Sequence, residues 1–388
     1  MDQVPEDLIP KDRAKTCRAG SPDWPTPTTA LTPPPALSNV IAPFLVMRQL
    51  PTAATPLSIR RNTPALSFLL LTITLLIPIQ GFAAPAGERT SVKLFTIGNS
   101  FVDYPTALLP ALAKAGGKTL VLGKANLGGC SLERHARYLA QAEANDPAGR
   151  VYKTFVDPKT GETRAVTLPE ALSSDQWDIV TIQQWSRESY KPETFHPAVD
   201  QLIAAVRKYA PRAEIVIQET WAYREDHPLF HKNDGFTEQK MYEGLRSAYH
   251  RLAVETGFRV IPTGDALELA RRTPRWTFVP DKNFDFKNPP PGQIPNEPTS
   301  LNTGWTWKKT KAGETKFTLD AIHLSNGGKY LGAAVWYQFV FNTNTVPASF
   351  VPPDISAEDA AALRQYASAA LKAERTRETP ASASLALK

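Results

Sequence analysis

Short apolar runs alternate with helix-patterned stretches from residue 92 to residue 272, and few folds accept that order. The runs at 92–97, 119–125, 178–183, 213–218 and 258–262 have the length and β-rich character of strands. The stretches at 104–115, 131–144, 197–209, 238–255 and 264–272 carry helical spacing. Strands separated by helices pair in parallel, and right-handed crossovers lay the helices over both faces of the sheet. The expected fold is therefore α/β, with three α/β/α layers around a five-stranded, mostly parallel sheet in flavodoxin-like order. Residues 151–167 read as a hairpin insertion turning at Asp157-Pro158-Lys159-Thr160-Gly161. A second interruption runs from 280 to 318, where Pro289-Pro290-Pro291-Gly292 makes an irregular loop before a hairpin at 305–319. Helices at 325–341 and 357–373 follow, and residues 376–388 read as a disordered tail.

The first 65 residues do not fit this scheme. They are rich in Pro, Thr and Ala and carry no apolar periodicity, as expected of a disordered extension. Arg60-Arg61, an apolar run from Leu66 to Ile79 and the small residues Gly81-Phe82-Ala83-Ala84-Pro85-Ala86 follow in that order. A basic flank, an apolar centre and a small-residue exit are the parts of a secretory signal peptide, assigned here to 66–86, with cleavage between Ala83 and Ala86. The run is short for a membrane span, and Pro78 interrupts it. The leader is far from Met1 but at an ordinary distance from Met47, which makes Met47 the expected start of translation. The expected product is exported, to the periplasm or beyond, without stable membrane insertion after cleavage, and its working part is residues 87–375.

Totals narrow the function classes. In 388 residues the formal net charge is +6, without a dense Lys/Arg run or a nucleic-acid-binding motif, so a nucleic-acid partner is not expected. Cys17 and Cys130 are the two cysteines, too few for a disulfide framework or a zinc site of usual spacing. Loss of a leader would leave Cys130 alone, as a buried, inert thiol.

The first strand breaks at Gly98-Asn99-Ser100, so Ser100 sits where strand hands over to helix. Open α/β sheets bind ligands in the crevice at the carboxyl ends of their strands. Gly-Asn-Ser is also an ordinary turn and helix cap. The case for chemistry comes from Asp320-Ala321-Ile322-His323, far along the chain. A serine hydroxyl is a weak nucleophile that needs a histidine base, and the histidine needs a carboxylate to fix its tautomer. Asp320 and His323 are three apart before a helix, so a single turn can join carboxylate to Nδ1 and leave Nε2 for Ser100.

Gly98-Asn99-Ser100, Gly128-Gly129 and Asp320-x-x-His323, in that order, resemble the SGNH (GDSL-type) hydrolase superfamily. More narrowly, Gly128-Gly129-Cys130-Ser131-Leu132-x-x-His135, Trp177-Asp178-x-Val180-x-x-Gln183-Gln184 and Thr220-Trp221-Ala222-Tyr223 resemble a poorly characterised secreted bacterial branch. The resemblance covers about residues 92–341. It implies Ser100 as nucleophile, His323 as general base and Asp320 as its orienter. It implies an oxyanion hole made by the backbone N–H groups of Ser100 and Gly129 and by a side-chain amide. That amide normally comes from Asn in a Gly-x-Asn-Asp stretch, and here the strand ends Gln183-Gln184-Trp185-Ser186, so either glutamine could supply it on a longer arm.

Trp185, Trp221 and Tyr223, near strand ends, are candidate substrate-binding rings, with Trp305 and Trp307 as further candidates, since flat apolar faces beside polar groups suit sugars. His135 reads as a structural histidine. No metal or cofactor is implied. The resulting reading is a secreted serine ester hydrolase of the Ser-His-Asp type that removes short acyl groups from a small-molecule or carbohydrate ester. Two alternatives stay open: a catalytically silent carbohydrate-binding protein on the same fold, and a lipase or thioesterase with a longer acyl pocket.

Overall fold

The structure, a computed structural model, describes residues 87–385 apart from Asn233. The expected N-terminal extension, the expected leader and the expected start at Met47 lie outside the described residues.

In chain order the elements are β1 (Ser91–Gly98), α1 (Ser100–Thr106), α2 (Leu109–Ala115), β2 (Thr119–Asn126) and α3 (Leu132–Glu143). A hairpin of β3 (Tyr152–Val156) and β4 (Thr163–Val166) follows, then α4 (Leu168–Leu172), β5 (Ile179–Ile182), α5 (Ala198–Tyr209) and β6 (Glu214–Gln218). Next come α6 (Glu238–Thr256), β7 (Arg259–Ile261) and α7 (Thr263–Arg271). A second hairpin of β8 (Asn302–Lys309) and β9 (Thr315–Leu324) leads into α8 (Asn326–Val340) and α9 (Ala357–Leu385).

The central sheet has the order β2-β1-β5-β6-β7, and every neighbouring pair is parallel. Counted among themselves, the sheet strands run 2-1-3-4-5, the flavodoxin-like order. The reversal of direction between β1 and β5 opens a crevice at their carboxyl ends. Both strands are apolar almost throughout because both faces are covered: all four residues of β5 are buried, as are Phe95, Thr96 and Ile97 of β1. Each buried aliphatic side chain there contributes about 2 kcal/mol of burial free energy. Helices α1, α2, α7, α8 and α9 pack with one another on one face, whereas α3, α4 and α5 pack together on the other. Right-handed crossovers from β5 to β7 put α6 on the second face as well.

Three sequence expectations need correction. The helix expected at 104–115 starts four residues earlier and is broken in two, with Pro105 inside α1 and Pro110 at the start of α2. Pro105 has no N–H for the Phe101 carbonyl four residues back. The side-chain amide of Gln218 donates to that carbonyl instead, at 2.8 Å, from the end of β6. Second, Asp320 and His323 lie on β9 itself and not in a loop after the hairpin. Third, the last helix does not stop at Ala373: it runs on to Leu385, so a disordered tail does not begin at 376.

Arg377 explains the longer helix. Its guanidinium pairs with Asp265 at 2.6 Å and donates through Nε to Glu374 at 2.9 Å, and both carboxylates are almost fully buried. This tethers α9 to α7. Arg377→Ala should cost about 2 kcal/mol, below the usual figure for a buried pair because Arg377 is partly exposed. Urea unfolding checks this against Lys372→Ala, which removes an exposed charge on the same helix. Equal midpoints for the two variants would mean the segment beyond Arg375 contributes nothing to the fold.

Candidate active site

Gly98 ends β1 at a point where no side chain fits. A Cβ there would sit 2.5 Å from both Gln183 Oε1 and Val102 Cγ2. Asn99 then turns the chain. Its carboxamide oxygen accepts the Phe101 N–H at 3.0 Å and so caps α1, while its Nδ2 donates to the Cys130 carbonyl at 2.9 Å. One side chain thus fixes both the helix that starts at Ser100 and the turn that carries Gly129. In that turn the Cys130 N–H returns to the Leu127 carbonyl at 3.1 Å, and Gly129 takes φ +59°, the left-handed position that glycine fills without strain.

His323 is delivered by an irregularity in β9. Asn302 pairs with Leu324 and Gly304 with Asp320, so three residues, Ala321 to His323, face the single residue Thr303. In a regular strand, residues three apart point to opposite faces and lie too far apart to bond. The bulge folds them together. It is pinned by its carbonyls: Ala321 accepts from the Arg224 N–H at 2.8 Å and from Asn302 Nδ2 at 3.1 Å, and Ile322 accepts from Trp221 Nε1 at 2.9 Å.

The result is a continuous line of hydrogen bonds. His323 Nε2 lies 2.9 Å from Ser100 Oγ, and His323 Nδ1 lies 3.0 and 3.1 Å from the two carboxylate oxygens of Asp320. Asp320 also accepts the His323 backbone N–H at 3.1 Å and Lys308 Nζ at 3.2 Å. Burial works to raise its pKa, but the bonds from His323, with Lys308 behind them, hold the carboxyl well below its ordinary range. An ionised carboxylate must face a donor, so Nδ1 carries the hydrogen and Nε2 is left to accept the proton of the Ser100 hydroxyl. Tyr104 stacks flat on the imidazole, with centroids 4.7 Å apart and planes within 10°. It stands four residues after Ser100 on α1, so one helix face presents both. That i,i+4 spacing is visible in the sequence once the helix is started at Ser100.

Two groups of candidates are placed otherwise than expected. Gln183 and Gln184 are buried, and their donors are engaged. Gln183 Nε2 donates to Asn99 Oδ1 at 3.0 Å and to the Gln184 carbonyl at 2.6 Å. Gln184 Nε2 faces the carbonyl and hydroxyl of Thr194 at 2.9 and 3.2 Å. Neither offers an amide to a ligand beside Ser100; both stiffen the floor of the crevice. Trp221 and Tyr223 are also buried and cannot stack on a substrate. Trp221 packs on Phe101 with centroids 4.1 Å apart while holding the bulge, and the Tyr223 hydroxyl bonds Ser186 at 2.8 Å. Of the three expected ring contacts only Trp185 is partly exposed. Trp305 and Trp307 belong to an aromatic cluster with Phe317, Phe284 and Phe286 that joins the second hairpin to the proline-rich loop.

Cys130 is buried, and burial pushes its thiol up to about 11, so it is not a thiolate at neutral pH. Among the described residues His250, Asp265 and Glu374 come close enough to share a cation. Their lone pairs are already taken: Asp265 by Tyr242, Arg246 and Arg377, and Glu374 by His250 and Arg377. Two guanidiniums at one site disfavour a metal ion, and the cluster reads as an ion-pair network.

His135 sits behind the carboxyl end of β1. Its Nε2 is 2.9 Å from the Gly98 carbonyl and its Nδ1 2.8 Å from the Tyr152 hydroxyl. A carbonyl only accepts, so Nε2 carries the hydrogen and the neutral ring fits. Burial drives its pKa from 6.5 down to about 4. Between those values the unfolded chain binds the extra proton, so stability falls as pH drops through that window, by about 3 kcal/mol in full. Urea unfolding at pH 7 and pH 4.5 should show a larger loss for the natural chain than for His135→Gln. Equal losses would contradict the assignment of a buried neutral imidazole.

Residues 93–285, a little under half of the chain, match a family described as a domain of unknown function, DUF4886. The crystal structure of a DUF4886 family protein from Bacteroides uniformis ATCC 8492 is similar at 24% identity, over 72% of this chain and 95% of that one, with a TM-score of 0.54. A protein from Slackia heliotrinireducens, provisionally described as an SGNH hydrolase, aligns at 17% identity over 64% of this chain and 98% of its own, with a TM-score of 0.39. One from Parabacteroides merdae ATCC 43184, provisionally described as a GDSL-like lipase, aligns at 12% identity over 66% and 97%, with a TM-score of 0.35. No curated protein matches the sequence. The likeness concerns the fold, and the expected flavodoxin-like arrangement is the one observed: three layers around a parallel 2-1-3-4-5 sheet.

Proposed function

We propose that this SGNH-like chain is an exported serine hydrolase that cleaves esters of short acyl groups through an acyl-enzyme, with Ser100, His323 and Asp320 as its triad. The observation that carries the reading is the bond of 2.9 Å between Ser100 Oγ and His323 Nε2, backed by Asp320 on the far side of the ring. A surface serine has no need of a base aligned in this way.

In the proposed reaction the Ser100 oxygen adds to the ester carbonyl and its proton passes to His323 Nε2. Asp320 stabilises the imidazolium and keeps the ring oriented. The carbonyl oxygen becomes an oxyanion, for which the backbone N–H groups of Ser100 and Gly129 are the donors. Neither N–H has an acceptor among the described residues. His323 then protonates the departing alcohol. Water gives a proton to the same nitrogen as it attacks the acyl-enzyme, and His323 returns that proton to Ser100 Oγ as the bond to the acyl group breaks and the acid leaves. Each oxyanion donor of this kind is worth about 3 kcal/mol in the transition state. The Tyr104 ring on His323 limits the imidazole's rotation, so little reorganisation is needed at the moment of transfer.

Small acyl esters, with acetylated carbohydrates first among them, are the proposed substrates. The partly exposed Trp185 beside Gly129 supports a flat ligand at the mouth of the site. The apolar run at 66–79 and its flanks support export. Hydrolysis of p-nitrophenyl acetate, butyrate and octanoate by the natural chain and by Ser100→Ala tests the reading. Turnover should be greatest for acetate and fall at least about a thousandfold in the variant. Greatest turnover on octanoate would favour a lipase or thioesterase. No turnover of any ester would favour a binding protein that keeps the fold without the reaction.

A further inference from the structure

The proposed reaction leaves a gap. Two backbone donors are available to the oxyanion, and the carboxamides that sequence reasoning offered as the third are both engaged in holding the crevice floor. We propose that the indole N–H of Trp185 is the third donor, completing the oxyanion hole that the Gln183-Gln184 pair cannot complete. This rests on the esterase reading above and adds to it a catalytic residue.

Four observations carry it. The first is register. Ile97 of β1 pairs with Ile182 of β5, and Gln183 is bonded both ways to Asn99, its carboxamide oxygen accepting the Asn99 N–H and its Nε2 donating to Asn99 Oδ1. Three residues beyond the matched pair, Ser100 and Trp185 therefore leave neighbouring strands at the same height, above the same crevice. The second is position. A Cβ on Gly129 would meet one atom within 4 Å, Trp185 Nε1 at 3.7 Å, so the indole nitrogen stands directly beside the glycine whose N–H is the second donor.

The third is availability. Four of the other tryptophans spend their indole N–H on an oxygen: Trp177 on Leu172, Trp221 on Ile322, Trp307 on Gln293 and Trp336 on Thr263. Trp185 Nε1 donates to no acceptor among the described residues, and its ring is partly exposed, so a ligand can reach it. The fourth is rigidity. The Trp185 backbone N–H is fixed by Gln184 Oε1 at 2.8 Å, and the same oxygen accepts the Leu132 N–H at 2.9 Å. The Arg187 guanidinium lies over the ring, 5.7 Å from its centroid. An indole N–H only donates, so it has nothing to offer a neutral acceptor that it does not offer more strongly to an oxyanion.

Gln184 thereby gains an explanation. Its carboxamide positions Trp185 and the start of α3, and the donor itself is displaced by one residue along the strand end. The site keeps the three-donor arrangement with an aromatic ring doubling as a wall for the acyl group.

Trp185→Phe keeps the ring and removes the N–H. With p-nitrophenyl acetate, kcat should fall roughly ten- to a hundredfold with KM changed less than about threefold, the pattern of an interaction made mainly in the transition state. A trifluoromethyl ketone provides the second readout. Ser100 Oγ adds to its carbonyl carbon, the hydroxyl proton goes to His323, and the ketone oxygen becomes a stable oxyanion. Its inhibition constant should weaken by the same factor as kcat/KM, while a non-reacting alcohol inhibitor, 1,1,1-trifluoro-2-propanol, binds both proteins alike. Far-UV spectra and melting temperature confirm that the variant is folded. An unchanged kcat with unchanged ketone affinity overturns the role of Trp185 and leaves the esterase standing. Loss of kcat without loss of ketone affinity also overturns it. Absence of both turnover and ketone binding in the natural chain overturns the esterase reading, and this inference with it.

Discussion

A hydrogen bond of 2.9 Å joins side chains 223 positions apart, and much of the fold can be read as the means of keeping it. One end is held by Asn99, which caps α1 and grips the Gly129 turn with the same carboxamide. The other end is held by a bulge that no local preference would form, since it leaves the carbonyls of Ala321 and Ile322 without ladder partners. Trp221, Arg224 and Asn302 supply those partners from two other segments of the chain. Buried backbone groups cannot go unpaired without a cost comparable to a lost hydrogen bond, so the support is required by the geometry.

The same logic accounts for the polar interior around β1 and β5. Gln183, Gln184, Gln218 and His135 are buried at the strand ends, where a core would ordinarily be apolar. Each satisfies a backbone group that the site's geometry strands: Gln218 replaces the donor that Pro105 lacks, His135 takes the Gly98 carbonyl, and Gln183 bridges Asn99 to Gln184. Directional bonds of this kind favour one arrangement where an apolar contact would permit several. The crevice is thereby shaped before any ligand arrives.

The sheet and its order were legible in the sequence because hydrophobic periodicity and parallel crossovers are local and topological signals. The residues Ser100, Asp320 and His323 were legible too, because each stands in a short motif. What stood beyond reach was the use of particular side chains. Gln183 and Gln184 looked like free donors, since nothing in a single sequence reveals that Asn99 and Thr194 would claim them. Trp221 and Tyr223 looked like binding rings because strand ends are exposed in general, whereas here Trp221 is tied to the β9 bulge and Tyr223 is buried against Phe101, His227 and Ser186. The length of α9 was missed for a related reason. The residues beyond Ala373 have no apolar stripe, and what orders Arg377 is a pair of buried carboxylates contributed by Asp265 and Glu374.

The claim beneath all of this is that Ser100 is a nucleophile activated by His323. The most direct measurement is intact-mass analysis after exposure to a small fluorophosphonate, comparing the natural chain, Ser100→Ala and His323→Ala. The account predicts one phosphonyl adduct on the natural chain, mapped to Ser100 by peptide sequencing, none on Ser100→Ala, and labelling of His323→Ala slowed at least about a hundredfold. A natural chain that stays unlabelled, or a His323→Ala variant labelled at the full rate, would contradict it.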